Sequence, residues 1–181
     1  MPRITAWKAL ETKINVYSPY RKIEDVIFEL PDGRKQTYSL NHVGKVVCVL
    51  ALTADKQVIL ARQFRPGPKK ILDELPGGGV EPEEDIQAAA LREFEEETGY
   101  TAGNITPMGK FLECAYSTIE RYGFLATDCV KTAEQKLDQN EFIEVVLKPL
   151  PEFFQQIQEG LCTDLEVAWA GLYKIGFLGI K

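Results

Sequence analysis

Residues 78–100 read GGVEPEEDIQAAALREFEEETGY, and four glutamates, Glu93, Glu95, Glu96 and Glu97, fall within five consecutive positions of this stretch. The apolar residues Ile86, Ala90, Leu91 and Phe94 recur at helical spacing and form the stripe expected to dock a helix on a sheet. Pro82 suits a first turn, and Glu83, Glu84 and Asp85 complement the positive end of a helix, so the spacing predicts a start near Pro82. Gly99 closes it. Like charges at helical neighbour positions repel and weaken a helix unless positive charge lies against them. Glu93 and Glu97 share a face with Glu96 beside them, whereas Glu95 turns to the far side and is expected to face solvent. Oxygen ligands at this density suit a hard divalent cation such as Mg²⁺. Most charge runs are solvated helix faces, so the decision rests on the spacing around them.

Outward from the helix, the preceding chain reads as β structure. KIEDVIFEL (22–30) and RKQTYSL (34–40) flank Pro31-Asp32-Gly33, a strong hairpin signal. KVVCVLALT (45–53) is a near-continuous apolar run, as in a strand buried on both faces, and it turns through ADKQ into VILARQF (58–64). An irregular RPGPKK leads to a short strand, ILDEL, which runs into Pro76 and three glycines. After the helix, FLECAYS (111–117), RYGFLATDCV (121–130) and EFIEVVLKPL (141–150) read as strands, with KTAEQKLDQN (131–140) as a polar loop. PEFFQQIQEG suggests a short helix ended by Gly160, and Thr163 with Glu166 matches a capping box for a last amphipathic helix. Mixed strands with a few helices indicate an α+β domain, a sheet sandwiched between helices. No internal repeat or low-complexity tract interrupts it.

A chain of 181 residues suits one ordinary domain, or one domain with a small appended piece, and 45% apolar content supports a core. A net charge of −6 argues against nucleic acid and membrane surfaces as partners, while local cations still allow an acidic protein to act on phosphate esters. Cys48, Cys114, Cys129 and Cys162 lack metal-site spacing and read as reduced structural residues of a cytoplasmic protein. Neither a secretory signal nor an apolar run of membrane-spanning length is visible.

Gly78 is followed after five residues by Glu84, and after seven more by Arg92-Glu93, Phe94, Glu95, Glu96-Glu97, Thr98, Gly99 and Tyr100. This spacing resembles the Nudix box, G-x5-E-x7-R-E-U-x-E-E-x-G-U with U apolar, and each fixed letter is present. Phe94 and Tyr100 stand where aliphatic residues are usual, a departure that bears on packing more than chemistry. The resemblance implies the Nudix fold, with an N-terminal antiparallel β extension over residues 1–43 and the hydrolase domain over 44–181. It also implies water attack on a diphosphate, assisted by Mg²⁺ or by Mn²⁺ as a substitute. Glu93 and Glu97 match the main metal ligands, Glu96 a further one, and Gly77 the backbone carbonyl ligand. Arg92 matches an organiser of these glutamates. Glu84 either supports the cluster or is an ordinary N-terminal helix charge.

Two further blocks bear on the substrate. Gln63-Phe64-Arg65-Pro66 and Glu74-Leu75-Pro76-Gly77-Gly78 resemble the QFRP…ELPAG stretch of ADP-ribose and nucleotide-sugar pyrophosphatases. The resemblance makes Arg65 and Glu74 substrate-binding residues, and a planar guanidinium is suited to bidentate phosphate contacts; a surface ion pair is the alternative for Arg65. Asn140-Glu141-Phe142-Ile143-Glu144-Val145 resembles the GEFVEV loop-to-strand element of that subfamily, which makes Glu141 the candidate general base and Asp138 the next. Glu144 either faces the site or solvates a strand. Ala115-Tyr116-Ser117-Thr118 stands where ADP-ribose pyrophosphatases carry a serine-proline-glycine segment, and a tyrosine near this place also occurs in dinucleoside polyphosphate hydrolases. Members of the subfamily form homodimers by exchanging the N-terminal β region. Trp7, Tyr17, Tyr20 and Phe28 are equally nucleobase platforms or packing residues, and His42, the only histidine, reads as a turn residue. The expected substrate is a nucleoside diphosphate sugar. Dinucleoside polyphosphates or nucleoside triphosphates are alternative substrates, and a non-catalytic nucleotide-sugar sensor is the alternative outside enzymes.

Overall fold

The computed structural model describes residues 4–19 and 21–179, which group into two compact units. One unit comprises the N-terminal region through Lys45 with Leu112–Glu120; the other comprises Val46–Phe111 and Arg121–Lys181.

In the first unit, β1 (Lys8–Ser18), β2 (Arg21–Glu29) and β3 (Lys35–Asn41) form an antiparallel sheet in that order. The β2–β3 turn closes where the Pro-Asp-Gly signal sits, with Gly33 at φ 83° and the Leu30 amide donating to the Arg34 carbonyl at 2.8 Å. Strand β1 is the outer strand and is exposed along nearly all its length. The rings of Trp7, Phe28 and Tyr38 cluster with centroids 5.3–6.1 Å apart, and Tyr116 stacks on Tyr38 at 6.3 Å. Tyr17 is exposed, and Tyr20 lies outside the described residues. His42 Nδ1 is 2.9 Å from Glu24, so the histidine is occupied within this unit.

The second unit contains β4 (Lys45–Thr53), β5 (Gln57–Arg65), β6 (Lys70–Glu74), β7 (Tyr100–Thr101), β8 (Asn104–Leu112), β9 (Glu120–Lys131) and β10 (Glu144–Pro149). Five of them run in the order β10-β5-β4-β9-β7, with β6 paired to β5 and β8 to β9. Three helices accompany the sheet: α1 (Ile86–Thr98), α2 (Leu150–Gln158) and α3 (Leu165–Lys174). Alternation along β4 separates two cores. Val47, Val49 and Ala51 pack with Ala89, Ala90 and Phe94 of α1, whereas Cys48, Leu50 and Leu52 pack with Phe153 and Ile157 of α2 and with Val167, Ala168 and Leu172 of α3. The continuous apolar run of β4 therefore reflects helices on both faces. This is the expected α+β arrangement, a mixed sheet between helices, with a three-stranded antiparallel sheet from the N-terminal region.

Several local expectations need correction. Helix α1 starts at Ile86, not near Pro82, because Asp85 is its N-cap and accepts from the amides of Gln87 and Ala88 at 3.0 Å. Pro82 and Glu83 lie in the preceding turn, Glu83 at φ 63°. Leu91 is exposed and Ala89 takes its place in the core stripe; Glu95, expected on the solvent side, is half-buried. The strand expected at 111–117 instead ends at Leu112 as β8, and the chain turns through the following segment, where the Asn41 amide donates to the Tyr116 carbonyl at 2.8 Å. Thr163 and Glu166 form no capping box: the Thr163 hydroxyl donates to Glu74 and Glu166 accepts from Arg121, leaving Asp164 as an N-cap whose side chain makes no bond to the helix amides. Cys48, Cys129 and Cys162 are buried, Cys114 is exposed, and all four are free thiols. Among the described residues no helix is long and apolar enough to cross a membrane.

Candidate active site

The site begins with the glycine segment beside β4. The amide of Val47 donates to the Gly78 carbonyl and that of Val49 to the Pro76 carbonyl, both at 2.9 Å, so residues 76–79 run as an extended strip along the strand. A Cβ on Gly77 would meet the Val47 carbonyl oxygen at 2.1 Å, and one on Gly78 would reach the Glu93 carboxylate at 2.5 Å. Only glycine lets the strip pass between the strand and the acidic face of α1. The Gly77 amide donates to Glu97 at 2.9 Å and ties the two together.

Glu97 is 6% exposed. Burial pushes its carboxyl up to about 8, and the like charges of Glu93 and Glu141 act in the same direction against the Gly77 amide and Arg65. Burial also raises Glu93, where Arg92 opposes it and Glu96 and Glu141 add to it. The cluster is therefore short of positive charge.

Arg92 supplies part of it. Its guanidinium donates to both oxygens of Glu84 at 2.8 and 2.9 Å, to Glu93 and Glu96 at 3.0 Å each, and to the Gly79 carbonyl at 3.0 Å. Glu84 responds with a carboxyl lowered to about 2, first through its bonds to Arg92 and then through the Glu81 amide. Arg92 thus links the glycine strip, the turn before α1 and two turns of the helix, while Glu97 stays outside its reach. Among the described residues no three His, Cys, Asp or Glu side chains are gathered closely enough to hold a metal ion as they stand. The donors nevertheless fit a hard cation: Glu93 and Glu97 are carboxylates whose charged forms are disfavoured by burial and by neighbouring carboxylates, and a divalent ion would reverse both penalties.

Arg65 lies at the end of β5 and gives its Nε to Glu74, on the paired strand β6. Glu74 has no exposed surface, and its second carboxylate oxygen accepts the Thr163 hydroxyl at 2.5 Å. The substrate contact expected of Glu74 is therefore closed at its own carboxylate, whereas the Arg65 side chain remains 42% exposed. Glu141 sits on an exposed turn, where its carboxylate accepts the Asp138 amide at 3.0 Å. It is close enough to Glu93 and Glu97 to act on both electrostatically. Glu144 starts β10 opposite Arg62 of β5.

Gln135 escaped the sequence reading. Its side-chain amide donates to the Glu97 carbonyl at 2.6 Å and to the Ile143 carbonyl at 3.1 Å, clamping the C-terminal turn of α1 to the chain that follows Glu141. Nothing in its polar surroundings, KTAEQKLDQN, distinguishes it from a solvated loop residue.

The NUDIX domain profile matches residues 42–161. The chain is 33% identical over 153 residues to an ADP-ribose pyrophosphatase of Bacillus subtilis, covering 83% of this chain and 82% of that one. It is 29% identical over 154 residues to a methanol dehydrogenase activator of Bacillus methanolicus, covering 84% and 82%. A crystal structure of an ADP compounds hydrolase shares the fold with a TM-score of 0.79 at 20% identity, covering 98% of this chain and 96% of that one. With the box residues of α1, the glycine strip and these matches in agreement, the chain belongs to the Nudix family.

Proposed function

We propose that this enzyme hydrolyses the diphosphate bond of ADP-ribose or a related nucleoside diphosphate sugar, giving a nucleoside monophosphate and a sugar phosphate. The observation that carries the reading is the acidic cluster of Glu93, Glu96 and Glu97, short of positive charge and lying in the field of a half-exposed Arg65. The 33% identical ADP-ribose pyrophosphatase and the paired QFRP and ELPGG blocks support the choice of substrate. Glu93, Glu97 and the Gly77 carbonyl would hold a divalent cation, Mg²⁺ or Mn²⁺, with Glu96 joining when it leaves Arg92. When bound, such an ion neutralises phosphate oxygens and lowers the pKa of the attacking water. Arg65 directs its guanidinium edge to the diphosphate. Glu141 takes the proton from water as the new P–O bond forms, and the bridging P–O bond breaks to release the second phosphate. Its place on an exposed turn lets it approach when substrate orders the loop. The enzyme works as a homodimer joined through the N-terminal sheet, a reading supported by the exposed outer strand β1 and its exposed Ile14, Val16 and Tyr17. The protein acts in the cytoplasm, a reading that rests on its unpaired cysteines.

A substrate panel with Mg²⁺ tests the assignment: ADP-ribose and other nucleoside diphosphate sugars should give the highest kcat/KM. The sequence of the Tyr116 segment favours a second reading, since Ala115-Tyr116-Ser117-Thr118 departs from the ADP-ribose pyrophosphatase pattern. Higher kcat/KM for dinucleoside polyphosphates in the same panel would establish that reading instead. Glu141→Gln should lower kcat while leaving KM nearly unchanged, and unaltered kcat would move the base to Asp138. Sedimentation as a monomer would overturn the dimer.

A further inference from the structure

We propose that Thr163, on the loop between α2 and α3, is a positioning residue for Arg65 that acts through the buried carboxylate of Glu74. The inference rests on the reading that Arg65 contacts the diphosphate. Arg65 gives only Nε to the protein among the described residues, so its terminal nitrogens remain for an anion. How they are aimed depends on the angle of Glu74, which has no contact with water and, among the described residues, only two hydrogen-bond partners to set it, Arg65 on one oxygen and the Thr163 hydroxyl on the other. A buried charge is tolerated when each acceptor is satisfied, and this hydroxyl satisfies the oxygen that Arg65 leaves over.

The loop that carries Thr163 is built to hold still. Gln156 of α2 is buried and donates to the Leu161 carbonyl at 2.9 Å and to the Asp73 carbonyl of β6 at 2.6 Å, and its own oxygen accepts from Lys148 at 2.6 Å. The loop is thereby tied to the strand that presents Glu74. On the other side Asp164 pairs with Arg121 at 3.3 Å, and Arg121 donates to Glu166 of α3 at 2.6 Å. The one proton of this hydroxyl has two acceptors in reach, Glu74 at 2.5 Å and Asp164 at 3.2 Å, and the shorter contact sets the orientation of the carboxylate behind Arg65. Neither a capping role for Thr163 nor a direct substrate role for Glu74 explains this arrangement.

The experiment is steady-state hydrolysis of ADP-ribose with Mg²⁺ by the full chain and four variants: Thr163→Val, Thr163→Ser, Arg65→Lys and the double variant Arg65→Lys/Thr163→Val. Thermal unfolding confirms that each is folded. Thr163→Val should lower kcat/KM about tenfold, carried mainly by KM, because contacting residues couple at this scale. Thr163→Ser keeps the hydroxyl and should restore the wild-type value. In the Arg65→Lys background, where the aimed fork is already lost, adding Thr163→Val should change nothing further. Additive losses in the double variant, or no rescue by serine, would make Thr163 a packing residue and overturn the proposal. An Arg65→Lys loss without any Thr163→Val loss would overturn the relay alone. Unchanged kcat/KM in Arg65→Lys would instead remove Arg65 from the diphosphate, and the relay with it.

Discussion

Helix α1 and strand β6 each place carboxylates out of water, and they satisfy them in opposite ways. Glu97 of α1 receives a single backbone amide, from Gly77, and faces the like charges of Glu93 and Glu141. On β6, Glu74 has a guanidinium and a hydroxyl, and its neighbour Asp73 has two cations, Arg62 at 2.6 Å and Lys148 at 2.7 Å. Burial alone raises a carboxyl in both places. It prevails at Glu97, which goes up to about 8, and it is outweighed at Asp73, whose carboxyl is held below its ordinary value by Arg62 and Lys148. The contrast is one of supply: β5 and β10 provide counter-charges for the carboxylates of β6, whereas Glu97 of α1 has a backbone amide alone as its hydrogen-bond partner among the described residues.

The sharpest way to break this contrast is to remove the charge from α1. Glu97→Gln should reduce turnover by on the order of a thousandfold, the several kcal/mol expected of a group that holds a catalytic cation. The fold should survive, because Glu97 has no ion pair among the described residues to lose and the side-chain amide oxygen can still accept from Gly77. Wild-type turnover in this variant would return Glu97 to the structural side of the comparison. Removing a counter-charge from the carboxylates of β6 should cost stability as well as activity. Arg65→Ala leaves Glu74 buried with only a hydroxyl, and breaking a buried pair from one side costs about 3–5 kcal/mol. Denaturant unfolding would show it. Arg92→Ala should cost less stability, since Glu84, Glu93 and Glu96 are all partly reached by water.

How far the molecule could be read in advance follows the same division. The box on α1 was legible as a motif because its residues lie within one helix and its adjoining loop, where spacing alone fixes which of them share a face. The β4 core was legible for a similar reason, since a strand covered on both faces leaves a continuous apolar run. The β6 site was not legible. Thr163 meets Glu74 across 89 positions of chain, and the Thr163-x-x-Glu166 pattern pointed to a local cap that tertiary partners took over. Strand β8 was missed because Pro107 and Gly109 interrupt its alternation. Asp85 displaced Pro82 as the start of α1 because a side-chain bond to two free amides outweighs a favourable φ.

Geometry around the glycine strip offers a finer test. Gly78→Ala puts a methyl group 2.5 Å from the Glu93 carboxylate, the movable end of a side chain, so the chain should fold but swing Glu93 out of place. Activity should fall roughly ten- to a hundredfold, the cost of a ligand misplaced by about 1 Å. Gly77→Ala meets the Val47 carbonyl, which belongs to the backbone of β4, and should cost stability as well. Equal melting temperatures for the two variants would show that the strip is less constrained than its contacts imply.

The smallest effect, and the most direct on electrostatics, belongs to Asp73. Its folded carboxyl titrates below its unfolded one, so the stability it adds is complete above the unfolded value near 3.8 and is lost as pH falls through the lower folded value. Asp73→Asn cannot titrate. The stability gap between wild type and this variant should therefore be constant around neutrality and close as the pH drops below about 4, which chemical denaturation across a pH series would follow. A gap independent of pH would mean that Arg62 and Lys148 hold Asp73 by geometry and not by charge. A closing gap would show that two cations are enough to overturn the burial penalty, a balance that the single amide at Glu97 does not reach.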